Sequence, residues 1–338
     1  MTRKKKFEHR IFSDKDGVRF ATPEDVAIYR AKRLRCKTIA DISCGIGGQT
    51  IYFARECEHV YAVEIDPQKI AYARKNCKHL GITNVEFICA DALSPEVIAS
   101  LPQLDIVFSD PARPASEKVR DISNLQPSIP DVMTAYSTKT SCFAFEAPPQ
   151  LTPERVPFDC EKEYLSLEGK MNRLNLYFGT LKKCGVSAIA LPSGTRIESD
   201  DEIPDIRRTE EPALYAYEPE ESVERAGLLA QLAEEVREQA SDVSLFPIDK
   251  KRIFLTSMEQ IDHQLFKKKY KVLNMLAFDI PQINEYLREN GFGTMLLRAS
   301  VDPKEYWDIR NRLEKGLRGD RKAHLFLKGE IAILCETL

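Results

Sequence analysis

One stretch limits the folds open to this chain: Thr38-Ile39-Ala40-Asp41-Ile42-Ser43-Cys44-Gly45-Ile46-Gly47-Gly48-Gln49-Thr50. An apolar run enters a glycine-rich turn, and a helix-like segment follows. The next apolar run, Val60-Tyr61-Ala62-Val63, ends on Glu64. Strand, glycine turn, helix, strand, acid is the layout of an α/β cofactor site. Glycine lets backbone approach a ligand closely. An acid at the end of the second strand can accept hydrogen bonds from both hydroxyls of a ribose.

The alternation continues along the chain. Asp66-Pro67 starts a helix that reaches about Leu80 and ends at Gly81. Strand three is Val85 to Cys89, followed by Asp91. Strand four is Asp105 to Ser109, followed by Asp110-Pro111-Ala112-Arg113-Pro114. Strands with helical crossovers predict a parallel, doubly wound sheet whose site lies at the strand C-termini. Ser141 to Glu146 reads as strand five. Three more strands, 163–167, 173–178 and 186–191, close the sheet, with Gly169 turning a hairpin. Before the sheet, residues 1–37 form a helical cap, with Thr22 as helix N-cap and Pro23 at the first helical position. The polar stretch 193–212 reads as a linker. Beyond it lie a long helix from Glu221 to about Ala240 and a second set of strands and helices. The expected division is a cap (1–37), a catalytic domain (38–200) and a C-terminal α/β domain (213–338).

Length supports this division, because 338 residues exceed one average domain. A formal charge of −3 excludes a wholesale basic coat, so any nucleic-acid contact must come from local patches. No apolar run spans a bilayer, and the basic N-terminus leads into no apolar h-region. Nine cysteines, an odd number, form no Cys-x-x-Cys pair, and the five histidines are scattered. Reduced thiols in a cytoplasmic protein without a metal site are expected.

The glycine loop lacks the Gly-x-Gly-x-x-Gly spacing of dinucleotide folds. Asp41-x-x-x-Gly45-x-Gly47 is instead the pattern of S-adenosylmethionine binders. Asp41 is placed near the methionine ammonium, Gly45 and Gly47 against the ligand, and Glu64 on the ribose. Asp91 is assigned to the adenine amino group, with Ala92 and Leu93 packing on the ring; a helix N-cap explains Asp91 equally well. Pro111 fixes the turn after strand four and biases Asp110 toward an extended conformation. Asp110 can then orient a nucleophile facing the methyl group. Arg113 is a candidate partner for a phosphate or carboxylate, or a surface residue.

Two resemblances follow. Asp41 to Gly48, Val63-Glu64-Ile65-Asp66-Pro67, Phe87 to Asp91 and Thr22-Pro23-Glu24 resemble the class I RNA methyltransferases around trimethylguanosine synthase. That resemblance implies transfer to an exocyclic guanine nitrogen and adds Thr22, Cys44 and Ile65 to the cofactor-binding set. The family's fourth motif runs Ser-Pro-Pro-Trp, whereas this chain has Asp110-Pro111-Ala112-Arg113. Over nearly the whole chain, Asp110 to Arg113, Ala147-Pro148-Pro149, Tyr217-Glu218-Pro219 and Leu317-Arg318-Gly319-Asp320-Arg321 resemble prokaryotic class I methyltransferases with a C-terminal THUMP-like domain. The implied architecture is a Rossmann-like, seven-stranded catalytic domain beside a THUMP-like domain that contacts RNA.

The expectation is thus an S-adenosylmethionine-dependent methyltransferase acting on a base nitrogen of tRNA or rRNA, with Asp110, Pro111 and Arg113 at the reacting centre. Lys267-Lys268-Lys269-Tyr270-Lys271 and the group Arg310, Arg312, Lys315, Arg318, Arg321 and Lys322 are candidate phosphate contacts, or a solvated face. Trp307 is expected in the core. The rivals are a small-molecule or protein methyltransferase, and an RNA-binding factor with a vestigial site.

Overall fold

Short apolar runs between helices build the first sheet. β1 (Thr38–Asp41) and β4 (Ile106–Ser109) are almost wholly buried, as parallel strands covered on both faces must be. β2 (His59–Glu64) and β3 (Val85–Cys89) extend the sheet on one side, and β5 (Phe143–Ala147) on the other. All five run parallel, with Ile39 opposite both Val60 and Ile106. The chain is described by a computed structural model at residues 7, 9–14, 17, 19, 21–112, 121–250, 252–299, 301–302 and 304–338.

The helices follow their local signals. α1 (Glu24–Arg33) has acids in its first turn and bases in its last. Pro23 occupies its N-cap position, and no side chain caps it, so Thr22 does not play the capping role expected of it. α2 (Thr50–Glu56) follows the glycine loop. α3 (Pro67–His79) is capped by Asp66, whose carboxylate accepts from the Gln68 and Lys69 amides; Gly81, at φ 69°, follows it. α4 (Pro95–Ser100) and α5 (Ile129–Ala135) are short.

The sheet has nine strands rather than the seven expected, in the order β3-β2-β1-β4-β5-β7-β6-β8-β9. β6 (Glu161–Leu167) and β7 (Lys170–Tyr177) form the hairpin, with Glu168 (φ 53°) and Gly169 (φ 81°) both left-handed at the turn. β8 (Val186–Leu191) runs parallel to β6, and β9 (Thr195–Glu198) antiparallel to β8. β9 lies inside the stretch expected to be linker. Only Ile197 of its four residues is buried, which left too little apolar signal to mark a strand. The core beneath β1, β2 and β4 includes Ile39, Phe53, Val60 and Phe108.

The chain divides into two compact units, 1–200 with 225–227, and 201–224 with 228–338. The second unit contains a seven-stranded sheet in the order β11-β12-β10-β13-β16-β15-β14. Its strands are β10 (Tyr215–Pro219), β11 (Ser244–Asp249), β12 (Arg252–Ser257), β13 (Phe266–Ala277), β14 (Phe292–Arg298), β15 (Arg321–Lys328) and β16 (Ile331–Thr337). The long helix expected from Glu221 is two short ones, α6 (Glu221–Ala226) and α7 (Leu229–Glu235), separated where Gly227 turns left-handed at φ 75°. α8 (Ile280–Glu289) and α9 (Tyr306–Leu313) share one core with the sheet, including Ile283, Leu287, Leu313 and Leu325. Trp307 is 62% exposed rather than in that core. Tyr306, Ile309, Leu313 and Leu317 make the buried stripe at helical spacing, which turns the next position, Trp307, outward. Among the described residues no helix is long and apolar enough to cross a membrane, and no group of His, Cys, Asp or Glu forms a metal cluster.

Candidate active site

The order of the first sheet reverses between β1 and β4, and a parallel sheet binds ligands at the C-terminal end of such a switch. Acids collect there. β1 ends on Asp41, β2 on Glu64, and β5 carries Glu146, while Asp91 and Asp110 follow β3 and β4. Backbone bonds tie these ends together. The Ile42 amide donates to Phe108 O (3.0 Å), Cys44 to Val63 O (3.1 Å) and Ala90 to Glu64 O (3.1 Å). The Asp110 amide donates to Ser43 Oγ at 2.6 Å.

Asp41 is 1% exposed. Its Oδ2 accepts from Thr50 Oγ1 at 2.6 Å, and its Oδ1 is buried with no hydrogen-bond partner. Burial raises its pKa to about 6, against the hydrogen bonds from Thr50 and the Ser43 amide. Glu64 accepts from the Gly45 amide at 2.8 Å through Oε2 and from the Asp66 amide at 3.0 Å through Oε1. A carboxylate has about four acceptor sites, so two remain for hydroxyl donors. Gly45 is left-handed at φ 54°, and a Cβ there would meet nothing within 4 Å. Gly47, at φ 83°, has Ala73 where its Cβ would go. Cys44 is buried, and burial with Asp41 and Glu64 nearby pushes its thiol well above the usual range; only its backbone serves the loop. Ile65 is 68% exposed beside Glu64, offering a bare apolar surface.

An orphaned carboxylate oxygen, an open glycine, an acid with spare acceptors and an exposed isoleucine fit the parts of S-adenosylmethionine: ammonium, methionine chain, ribose and adenine. Asp91 accepts from the Leu93 amide at 2.9 Å; Ser94, not Asp91, caps α4. The Ala92 carbonyl is fixed by the Tyr136 hydroxyl at 2.7 Å. Thr22 is buried before α1 rather than in this bonded set.

Beside the loop lies a cavity of about 200 Å³ lined by Asp110, Pro111, Leu125, Glu146, Ala147, Pro148, Pro149, Gln150 and Arg173. Asp110 and Pro111 of the expected reacting centre are here; Arg113 lies outside the described residues. The segment 121–160 supplies Leu125 and residues 146–150.

Sequence reasoning did not single out Glu146, Arg173 or Arg30 as site residues. Glu146 ends an apolar strand as Glu64 does, which was the available signal. Glu146 Oε1 meets Arg173 Nε at 2.6 Å, and its Oε2 meets Arg30 Nη2 at 2.7 Å. Burial works against its charge, but Arg173 and Arg30 hold its pKa below the usual range. Arg30, 1% exposed, also donates to Asn175 Oδ1 (2.8 Å) and Gln49 Oε1 (3.0 Å). Behind it, Glu163 is fully buried and accepts from Tyr29 (2.6 Å) and Tyr177 (3.0 Å). No sequence spacing announces such a network, because its members come from α1, β5, β6 and β7.

Five of the basic residues singled out in the second unit are paired with acids. Lys269 pairs with Asp262, Lys267 with Glu218 (3.2 Å), Arg310 with Glu314 (3.3 Å), Arg312 with Asp308 (3.6 Å) and Arg321 with Glu336 (2.7 Å).

Residues 36–177 match the family described as RNA cap guanine-N2 methyltransferase. The chain is 27% identical over 320 residues to an uncharacterized S-adenosylmethionine-dependent methyltransferase of Mycobacterium tuberculosis, covering 92% of this chain and 82% of that one. It is 33% identical over 150 residues to the trimethylguanosine synthase of Schizosaccharomyces pombe, covering 40% of this chain and 62% of that one. Its fold is that of a Porphyromonas gingivalis W83 protein named as a methyltransferase, with a TM-score of 0.76, 16% identity, and coverage of 96% of this chain and 83% of that one. The acids at the strand ends, the glycine loop and these matches agree on one activity, that of an S-adenosylmethionine-dependent methyltransferase, with residues 36–177 similar to the RNA cap guanine-N2 methyltransferases.

Proposed function

We propose that the enzyme methylates a base nitrogen of a structured RNA, tRNA or rRNA. The observation that carries this reading is the cavity beside the cofactor loop, where Asp110 and Glu146 present acceptors and Leu125, Pro148 and Pro149 present apolar walls. A planar base with an N–H edge matches both features. S-adenosylmethionine supplies a methyl group already activated on a sulfonium. Asp41 takes the ammonium, Glu64 the ribose hydroxyls, Asp91 the adenine amino group, and Ala92 and Ile65 pack on the adenine. Gly45 and Gly47 let the backbone approach, and Thr22 and Cys44 complete the wall. Asp110 accepts from the nitrogen to be methylated and so aims its lone pair, with Pro111 fixing the turn; alignment is the main catalytic contribution. Glu146, kept anionic by Arg173 and Arg30, adds a second acceptor.

Two relatives support RNA as the substrate, the first of them with transfer to nitrogen and the second with transfer to carbon. The S. pombe relative is a trimethylguanosine synthase, and a 23S rRNA uracil-C5 methyltransferase of Aeromonas salmonicida is 37% identical over 84 residues. Arg113 stands where the trimethylguanosine synthase motif carries tryptophan, so we assign a base within structured RNA rather than a cap guanine. We take residues 1–37 as a cap, 38–200 as the catalytic domain and 213–338 as the THUMP-like domain that engages the RNA, in the cytoplasm.

The test is a comparison of modified nucleosides by mass spectrometry in RNA from cells with and without the gene. Loss of one methylated base is expected; identical profiles sink the RNA reading. The ion pairs that neutralise Lys267, Lys269 and Arg321 favour a second reading, a small-molecule or protein methyltransferase. Charge reversal at Lys268, Lys269, Arg318 and Arg321 then leaves activity untouched, whereas it abolishes RNA binding under the first.

A further inference from the structure

The sheet of the second unit has α8 and α9 on one face. On the other face the register gathers charge. Lys268 stands opposite Glu218 and two residues before Tyr270, hence on its side of the sheet. Tyr270 pairs with Thr337. His324 pairs with Cys335 and with Leu296, and Arg298 pairs with Phe326. Lys322 precedes His324 by two and shares its face. Ring contacts bind the group together: Tyr270 lies 5.2 Å from His324 and 5.3 Å from Phe326.

The charges do not balance. Lys268, Arg298 and Lys322 form no ion pair with a described residue. The one facing carboxylate, Glu218, is committed to Lys267 at 3.2 Å and to the Tyr270 hydroxyl at 3.2 Å. Arg298 Nε is buried without a partner. His324 is 5% exposed, and its Nδ1 is likewise unpartnered, while its Nε2 meets Thr337 Oγ1 at 3.0 Å. When that hydroxyl donates to Nε2, the ring proton sits on Nδ1, which has no acceptor among the described residues. A buried donor without an acceptor is costly, and so are three like charges that share one carboxylate already bonded to Lys267 and Tyr270.

We propose that this face is a phosphate site, in which Arg298, Lys268, Lys322 and His324 Nδ1 hold one backbone phosphate of the RNA substrate. A guanidinium fork, two ammonium groups and a ring N–H match the several oxygens and the charge of a phosphodiester. The neighbouring cations add to the effect of burial on the ring and the ammonium, and an anion would oppose both. Burial, then Arg298, Lys268 and Lys322, push His324 down to about 4, so its ring is neutral at physiological pH. Burial and Arg298 also lower Lys268. The choice of ligand rests on the RNA reading above.

The experiment titrates the full-length protein into a fluorescent, folded RNA hairpin and follows anisotropy. Arg298→Ala and Lys322→Ala are each expected to weaken binding about tenfold and to make the salt slope shallower by about one. Affinity for S-adenosylmethionine, measured by calorimetry, stays unchanged. Lys322 is exposed, so Lys322→Ala carries the test if Arg298→Ala melts the unit. A hairpin that binds wild type and Lys322→Ala equally overturns the site and leaves the RNA reading standing. A wild-type protein that binds no hairpin overturns the RNA reading and the ligand assigned to this site together.

Discussion

Asp41 shows how one residue links stability, ligand and pH. Its pKa of about 6 in the fold exceeds the ordinary 3.8. The folded state therefore binds the proton more tightly, and its stability falls as pH rises through the window between those values. In the proposed placement, the ammonium of the cofactor favours the ionised form. Affinity for S-adenosylmethionine should thus fall below about pH 6, by up to about tenfold per unit, and Asp41→Asn should flatten that dependence. Titration calorimetry across the window checks both. Glu64 carries the second prediction: Glu64→Ala leaves the Gly45 and Asp66 amides unpaired and removes the proposed ribose acceptor. A loss of about 1.5–3 kcal/mol in cofactor binding is expected, on the scale of hydrogen bonds to a charged group. Both acids were readable from sequence, because each ends an apolar strand beside a glycine loop. Glu146 obeyed the same rule, but its arginine partners are distant in sequence.

At the level of elements, the glycine loop separates two causes of the same requirement. Gly45→Ala and Gly47→Ala both force a side chain into left-handed backbone, at a cost of about 1–2 kcal/mol. Only at Gly47 would the added methyl also press on Ala73, 3.2 Å away. Gly47→Ala should lower Tm more, while Gly45→Ala should lose cofactor affinity out of proportion to Tm, since its methyl enters open ligand space. α1 depends on the buried charges beneath it. Arg30→Ala strips Glu146 of one of its two cations and should destabilise the unit by about 3–5 kcal/mol, measured by denaturant titration. The alternating strands and helices of the first sheet were legible because parallel strands are near-continuous apolar runs. β9 and the break between α6 and α7 were not. A four-residue polar edge strand has almost no pattern, and one left-handed glycine ends a helix whose apolar spacing continues past it.

For the molecule as a whole, net charge and local charge point in opposite directions. A formal charge of −3 gives no general attraction to RNA. Binding should come from few phosphate contacts, so its affinity should fall with salt on a shallow slope, to which Lys268, Arg298 and Lys322 contribute. Filter binding across a salt series measures that slope directly. Sequence gave the right kinds of residue in the second unit but could not say which were already paired, because pairing depends on strand register. The last strand of the first sheet has a consequence of another kind. β8 is apolar and buried along nearly its whole length, and the short β9, closed by the Arg196–Glu198 ion pair, covers its outer edge. Those four residues keep the backbone of β8 paired. Deleting them would leave Val186–Leu191 as a template for another strand, and light scattering of the deletion variant should report aggregation.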